Sequence, residues 1–199
     1  GRKLLDRNRL DEAAGNLAQI SGQVQRIDKI IRNLRAFARN EGEGGEPVDL
    51  VAAVDEAVAL TLPSLDKAGI QLSWSTPARR MLVVGGEVRL QQVVLNVLSN
   101  AQDALTGSSM KRIDVTLESG TEEAILEIAD SGAGIPDPSR VFEPFYTTKE
   151  LGASKGLGLG LSISYGIIRS FGGMLSCRNK PDGGAVFTIR LPLTDGAAQ

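Results

Sequence analysis

Histidine is absent from all 199 residues, and cysteine occurs once, at Cys177. The first absence removes histidine acid and base chemistry, and most zinc sites, from the chain itself. The second excludes an internal disulfide, which fits a reducing compartment. No apolar run approaches the ~20 residues of a membrane span, and the opening GRKLLDRNRL lacks the apolar centre of a signal peptide. Charge of one sign is also missing: 22 Lys and Arg against 24 Asp and Glu leave a net charge of -2. No global basic field would hold the chain on nucleic acid or an anionic membrane, so any polyanion binds locally. What remains, 42% hydrophobic and 23% charged residues, is a globular composition with room for one domain and an appendage.

Apolar residues fall at Leu10, Ala13, Leu17, Ile20, Val24, Ile27, Ile31, Leu34 and Ala38, with spacings that alternate between three and four. This heptad seam predicts a long helix of a coiled coil or helical hairpin; the alternative is a surface helix on the domain that follows. NEGEGGE (40–46) reads as a linker, which divides the chain into 1–45 and 46–195. Pro47-Val48-Asp49 opens a short helix through Leu62, with Asp49 as a plausible N-cap, followed by strands at Ile70 to Ser75 and Met81 to Val84. Helical periodicity covers Arg89 to Leu105. The alternating runs Ile113 to Leu117 and Ala124 to Ala129, separated by Ser119-Gly120-Thr121, predict an antiparallel hairpin. A helix from about Leu159 to Phe171 and strands at Met174 to Arg178 and Ala185 to Leu191 complete an α/β two-layer sandwich with helices on one face.

Chemistry concentrates in three stretches. Asn96, Asn100 and Asp103 stand at i, i+4 and i+7 among Val93, Val94, Val97, Leu98 and Ala101, so polar groups share one face of a helix that is otherwise apolar. They fit caps for neighbouring loops, or a ligand; an amide oxygen is a hard, neutral donor that suits Mg²⁺. Asp130 ends a strand before Ser131-Gly132-Ala133-Gly134-Ile135-Pro136, where its carboxylate can accept from an exocyclic amino group; a tight turn with an Asp cap explains the same residues. FEPFYTTK, with Tyr146, Thr147, Thr148 and Lys149, leads through Lys155 into Gly156, Leu157, Gly158, Leu159 and Gly160. Glycines and free N–H groups at a helix start form a phosphate site, or a lid, or simply a long loop. Gly183-Gly184 turns into the last strand, where Thr188 is expected to point inward beside Asp130.

Taken in order, these segments resemble the second half of a two-component sensor histidine kinase. NVLSNAQDA is similar to the asparagine box, DSGAGIP to the first glycine box, FEPFYTTK to the phenylalanine box, GLGLGL to the second glycine box and GGAVFTIRLP to the last. The helix with QVQRIDKIIRNLRAFAR resembles the second helix of the dimerisation and phosphoacceptor hairpin. The dicarboxylate and nitrogen sensors have boxes of similar flavour. The resemblance implies the Bergerat ATP-binding sandwich, shared with gyrase-type ATPases, the large heat-shock chaperone and mismatch-repair ATPases. It implies that Asn100 binds Mg²⁺, that Asp130 contacts the adenine amino group, and that Gly132 and Gly134 shape the base pocket. Lys149 and the segment from Gly156 to Gly160 would meet the phosphates of ATP.

Two departures refine that expectation. ATPase relatives carry a glutamate one turn before the metal-binding asparagine, where this chain has Asn96, a poor general base. That favours a kinase over a gyrase-like ATPase or a non-catalytic ATP-binding dimer module. Many sensor kinases have a basic residue where this chain has Asp103. The family's phosphoacceptor is a histidine, and the chain has none and begins without methionine. The resemblance therefore implies a piece of a longer inner-membrane sensor, cytoplasmic, unable to phosphorylate itself, dimeric through its N-terminal helix and acting on a response regulator receiver domain.

Overall fold

In the computed structural model the described residues are 46–147 and 158–194, together with Asn16, Leu17 and Ser21, which are helical and exposed. The rest of the heptad stretch and the linker before Glu46 lie outside the described residues. The element order is β1 (Pro47–Asp49), α1 (Leu50–Lys67), β2 (Gln71–Ser73), β3 (Leu82–Val84), α2 (Glu87–Ala104), β4 (Arg112–Ser119), β5 (Glu123–Asp130), α3 (Gly160–Ser170), β6 (Met174–Asn179) and β7 (Ala185–Pro192).

Five strands form one mixed sheet in the order β2-β4-β5-β7-β6, parallel only between β2 and β4. The hairpin β4–β5 is antiparallel, with Ile113 opposite Asp130 and Leu117 opposite Leu126. Ile113, Val115 and Leu117, with Ala124, Leu126 and Ile128, are buried in alternation, as period-two sequences require when one face is covered. The covering layer is helical. Leu90, Val93, Val94, Val97, Leu98 and Ala101 line the buried side of α2 and contact both neighbouring helices and β5. Truncating one of them, Leu98→Ala, would cost about 2–5 kcal/mol through the cavity it leaves.

The α/β sandwich read from the sequence is the fold observed, with two local differences. Pro47 to Asp49 form a strand, not the opening of a helix; β1 pairs with β3 in a separate two-stranded sheet, which meets the end of the main one through an isolated bridge between Val83 and Leu193. Asp49 does cap α1, accepting from Val51 N–H at 3.1 Å, and its other carboxylate oxygen pairs with Arg80. The helix then runs through Pro63 to Lys67 instead of stopping at Leu62. Proline removes one internal bond, but fully buried Leu65 lies beyond it and holds the last turn against the core.

Candidate functional site

Helix α2 presents Asn96 and Asn100 half-buried, one turn apart. Each side-chain nitrogen is committed to a carbonyl: Asn100 Nδ2 donates to Asn96 O at 2.9 Å, and Asn96 Nδ2 to Gly160 O at 3.4 Å. Among the described residues no donor reaches either Oδ1. Carbonyls only accept, so both amides are oriented with nitrogen inward and oxygen available to a ligand. Asp103 is exposed in the last turn of the same helix. Among the described residues no group of three His, Cys, Asp or Glu side chains could hold a metal. A cation here would be met by neutral amide oxygens and by oxygens that its own ligand brings, which fits Mg²⁺ carried by phosphates.

Asp130 is 2% exposed at the end of β5. Its Oδ1 accepts from Gly132 N–H at 2.8 Å and from Ala185 N–H at 3.4 Å, while among the described residues nothing donates to Oδ2. Among the described residues Thr194 Oγ1 is the one fully buried side-chain polar atom without a partner, so Asp130 Oδ2 keeps an opening through which a donor can reach it. The backbone around it is packed tightly. A Cβ on Gly132 would lie 2.5 Å from Ala104 O, at the end of α2, so this glycine joins sheet to helix. Gly184 has φ +83, and a Cβ there would lie 2.1 Å from Asp130 O. The Gly183-Gly184 pair, an ordinary hairpin turn by sequence, thus lays a backbone against Asp130 itself.

The segment after Asp130 is anchored by residues the sequence reading did not single out. Ser131 Oγ accepts from Arg112 N–H and donates to Met110 O, both at 3.0 Å, tying the start of β4 to the end of β5. Asn179, at the end of β6, bonds Ile135 at both N–H and C=O. Beyond it, Ser139 Oγ donates to Asp137 and holds that carboxyl below its usual value. Arg140 pairs with Glu143 at 3.0 Å, which raises its own proton affinity, and covers the Tyr146 ring at 5.0 Å.

Tyr146 and Thr147 are the last described residues before Gly158; Thr148, Lys149, Lys155, Gly156 and Leu157 lie outside the described residues. At the far side Gly158, φ +68, returns to the same point: Phe145 N–H donates to its carbonyl at 3.1 Å, and a Cβ on it would lie 2.5 Å from Tyr146 O. Phe145 itself has φ 67, a costly backbone for a bulky residue, and is 70% exposed. Leu159 packs on the core and Gly160 opens α3 against Asn96.

Thr188, expected beside Asp130, lies elsewhere. It pairs with Glu127, and its hydroxyl donates to Glu127 Oε1 at 3.0 Å. Asp130 and Glu127 are an odd number of residues apart on β5, so they point to opposite faces, and Thr188 is not beside Asp130. Ala185 and Gly184 occupy that place.

Residues 85–195 match a family described as histidine kinase-, DNA gyrase B-, and HSP90-like ATPase. The two-component sensor PprA of Pseudomonas aeruginosa is 37% identical over 92% of this chain and 20% of its own length. The C4-dicarboxylate transport sensor protein DctB of the same organism is 36% identical over 98% of this chain and 32% of its own length. Among solved structures, full-length ShkA in complex with AMPPNP superposes with a TM-score of 0.71 at 25% identity, covering 88% of this chain and 37% of that one. The chain thus spans less than two fifths of each of these three proteins.

Proposed function

The chain belongs to the histidine kinase-, DNA gyrase B- and HSP90-like ATPase family, and from that premise we propose that it is the Mg-ATP-binding part of a two-component sensor histidine kinase. The observation that carries the nucleotide reading is Asp130, buried with one carboxylate oxygen unpaired at a sheet end. That oxygen accepts from the exocyclic amino group of adenine. Gly132, Gly134 and Ile135, fixed by Ala104 and Asn179, form the backbone that the base lies against. Asn100 and Asn96 offer amide oxygens at the phosphate end, where the bound magnesium ion neutralises charge on the triphosphate. Lys149, Lys155 and the backbone from Gly156 to Gly160 serve the phosphates, and Tyr146, Thr147, Thr148 and Asp103 border them.

Kinase is favoured over ATPase by Asn96. Its amide donates to the Gly160 carbonyl, and an amide does not deprotonate water. The chain holds, orients and neutralises, and the γ-phosphoryl group passes to a histidine that this histidine-free sequence does not contain. From there it moves to an aspartate of a response regulator receiver domain. Residues 1–45 form a homodimer as the second hairpin helix, in the cytoplasmic portion of an inner-membrane sensor, although no described helix is long and apolar enough to cross a membrane.

The test uses γ-labelled ATP with magnesium. The label is expected on a histidine-bearing hairpin helix supplied separately and not on this chain. Steady ATP hydrolysis without any acceptor would overturn the kinase reading in favour of a gyrase-like ATPase.

A further inference from the structure

Ser164 lies on the buried side of α3 beside Ile163 and Ile167 and is 0% exposed. A hydroxyl in such a place is costly unless it is used. Ser164 Oγ accepts from Asn96 Nδ2 at 3.2 Å, across 68 residues of sequence. The Gly160 carbonyl takes the same nitrogen at 3.4 Å. Neither contact is short, yet together they admit one amide orientation, because a carbonyl cannot donate. Were the amide turned over, its oxygen would face the Gly160 carbonyl and its two N–H groups would face any cation.

From this geometry we propose that Ser164 is a positioning residue for the phosphate end of the nucleotide: it acts through Asn96, holding that amide with its oxygen outward. The proposal rests on the Mg-ATP reading above and adds to it a residue of α3 that touches no ligand. Gly160 fits the same arrangement. A Cβ there would meet Asn96 Cγ at 3.7 Å, an ordinary contact, so crowding does not demand glycine. Its bareness leaves the face of the Asn96 amide uncovered.

Base and phosphate ends can be read separately, with adenosine and with a non-hydrolysable ATP analogue in magnesium. Ser164→Ala is expected to weaken the magnesium-bound analogue about fivefold, the worth of one neutral hydrogen bond. Adenosine, held by Asp130, should bind as before. In an Asn96→Ala background the Ser164→Ala change should add nothing. Ser164→Cys, nearer in volume and a poor acceptor, should repeat the selective loss, with Trp74 fluorescence reporting that the fold is kept. Equal weakening of both ligands, or additive losses in the double variant, would mark Ser164 as a packing residue and overturn the proposal alone. A wild-type protein that binds neither ligand would overturn the nucleotide reading, and this proposal with it.

Discussion

Asn179 grips Ile135 from both sides: its Oδ1 accepts from Ile135 N–H at 2.7 Å, and its Nδ2 donates to Ile135 O at 2.8 Å. The end of β6 thereby sets the position of the turn that follows Asp130. Asn179→Asp keeps the acceptor but puts an oxygen against a carbonyl. Affinity for an ATP analogue should fall about five- to tenfold by calorimetry, the worth of one or two hydrogen bonds. Unchanged affinity would remove Asn179 from the site.

Asp130→Asn still leaves an acceptor for Gly132 N–H, while placing an N–H donor where Oδ2 was. Two donors would then face each other in a buried setting, at a cost of about 1–3 kcal/mol. Adenosine and the ATP analogue should both weaken by about tenfold or more, with circular dichroism unaltered. Wild-type affinity for either would contradict the role given to Asp130.

Gly132→Ala and Gly160→Ala should part company. The first forces a Cβ to 2.5 Å from the Ala104 carbonyl, and should lower stability by about 1–3 kcal/mol in a denaturant titration. The second meets only ordinary contacts at the start of α3, and should keep the midpoint or raise it while weakening the magnesium-bound analogue. A midpoint that drops equally in both would show that Gly160 is structural.

Cys177 is half-buried, and that burial pushes its thiol up to about 11 from an ordinary 9.0. The unfolded chain therefore loses the thiol proton first. Stability contributed by this group is full below pH 9 and is lost as pH rises toward 11. Cys177→Ala should flatten the difference between denaturation midpoints at those two pH values. Thiol-reactive dyes at pH 8 should label the native protein much more slowly than the unfolded one.

The heptad seam from Leu10 to Ala38 predicts a dimer through residues 1–45. Light scattering should give twice the chain mass, and removal of residues 1–45 should return a monomer. A 199-residue chain that scatters as a monomer would count against the seam.

Much of this fold is written in local periods. The alternation in β4 and β5 and the three-four spacing of α2 place Asp130 and both asparagines where they stand, and Asp49 announces its helix. The end of α1 is not local in this sense: Pro63 is a local stop signal, whereas Leu65, buried in the core, holds the helix by contacts far away in sequence. The face of Thr188 is itself legible in the strand period. It shares parity with Arg190 and not with Phe187, Ile189 and Leu191, which face the helices. Asn179, Ser131 and Ser164 carried no such signal: each is a single polar residue whose partner lies 19 to 68 residues away.

Phe145 and Gly158 leave one more consequence. Their hydrogen bond joins the two ends of the intervening stretch at a single point of the domain. The length of what lies between is therefore uncoupled from the register of the sheet and helices. Doubling such a loop costs only about 0.6 kcal/mol of closure entropy. A change of length between Thr147 and Gly158 therefore need not disturb the pairing of β5 with β7 or the start of α3. The base-binding end, packed around Asp130 and Gly184, has no such latitude.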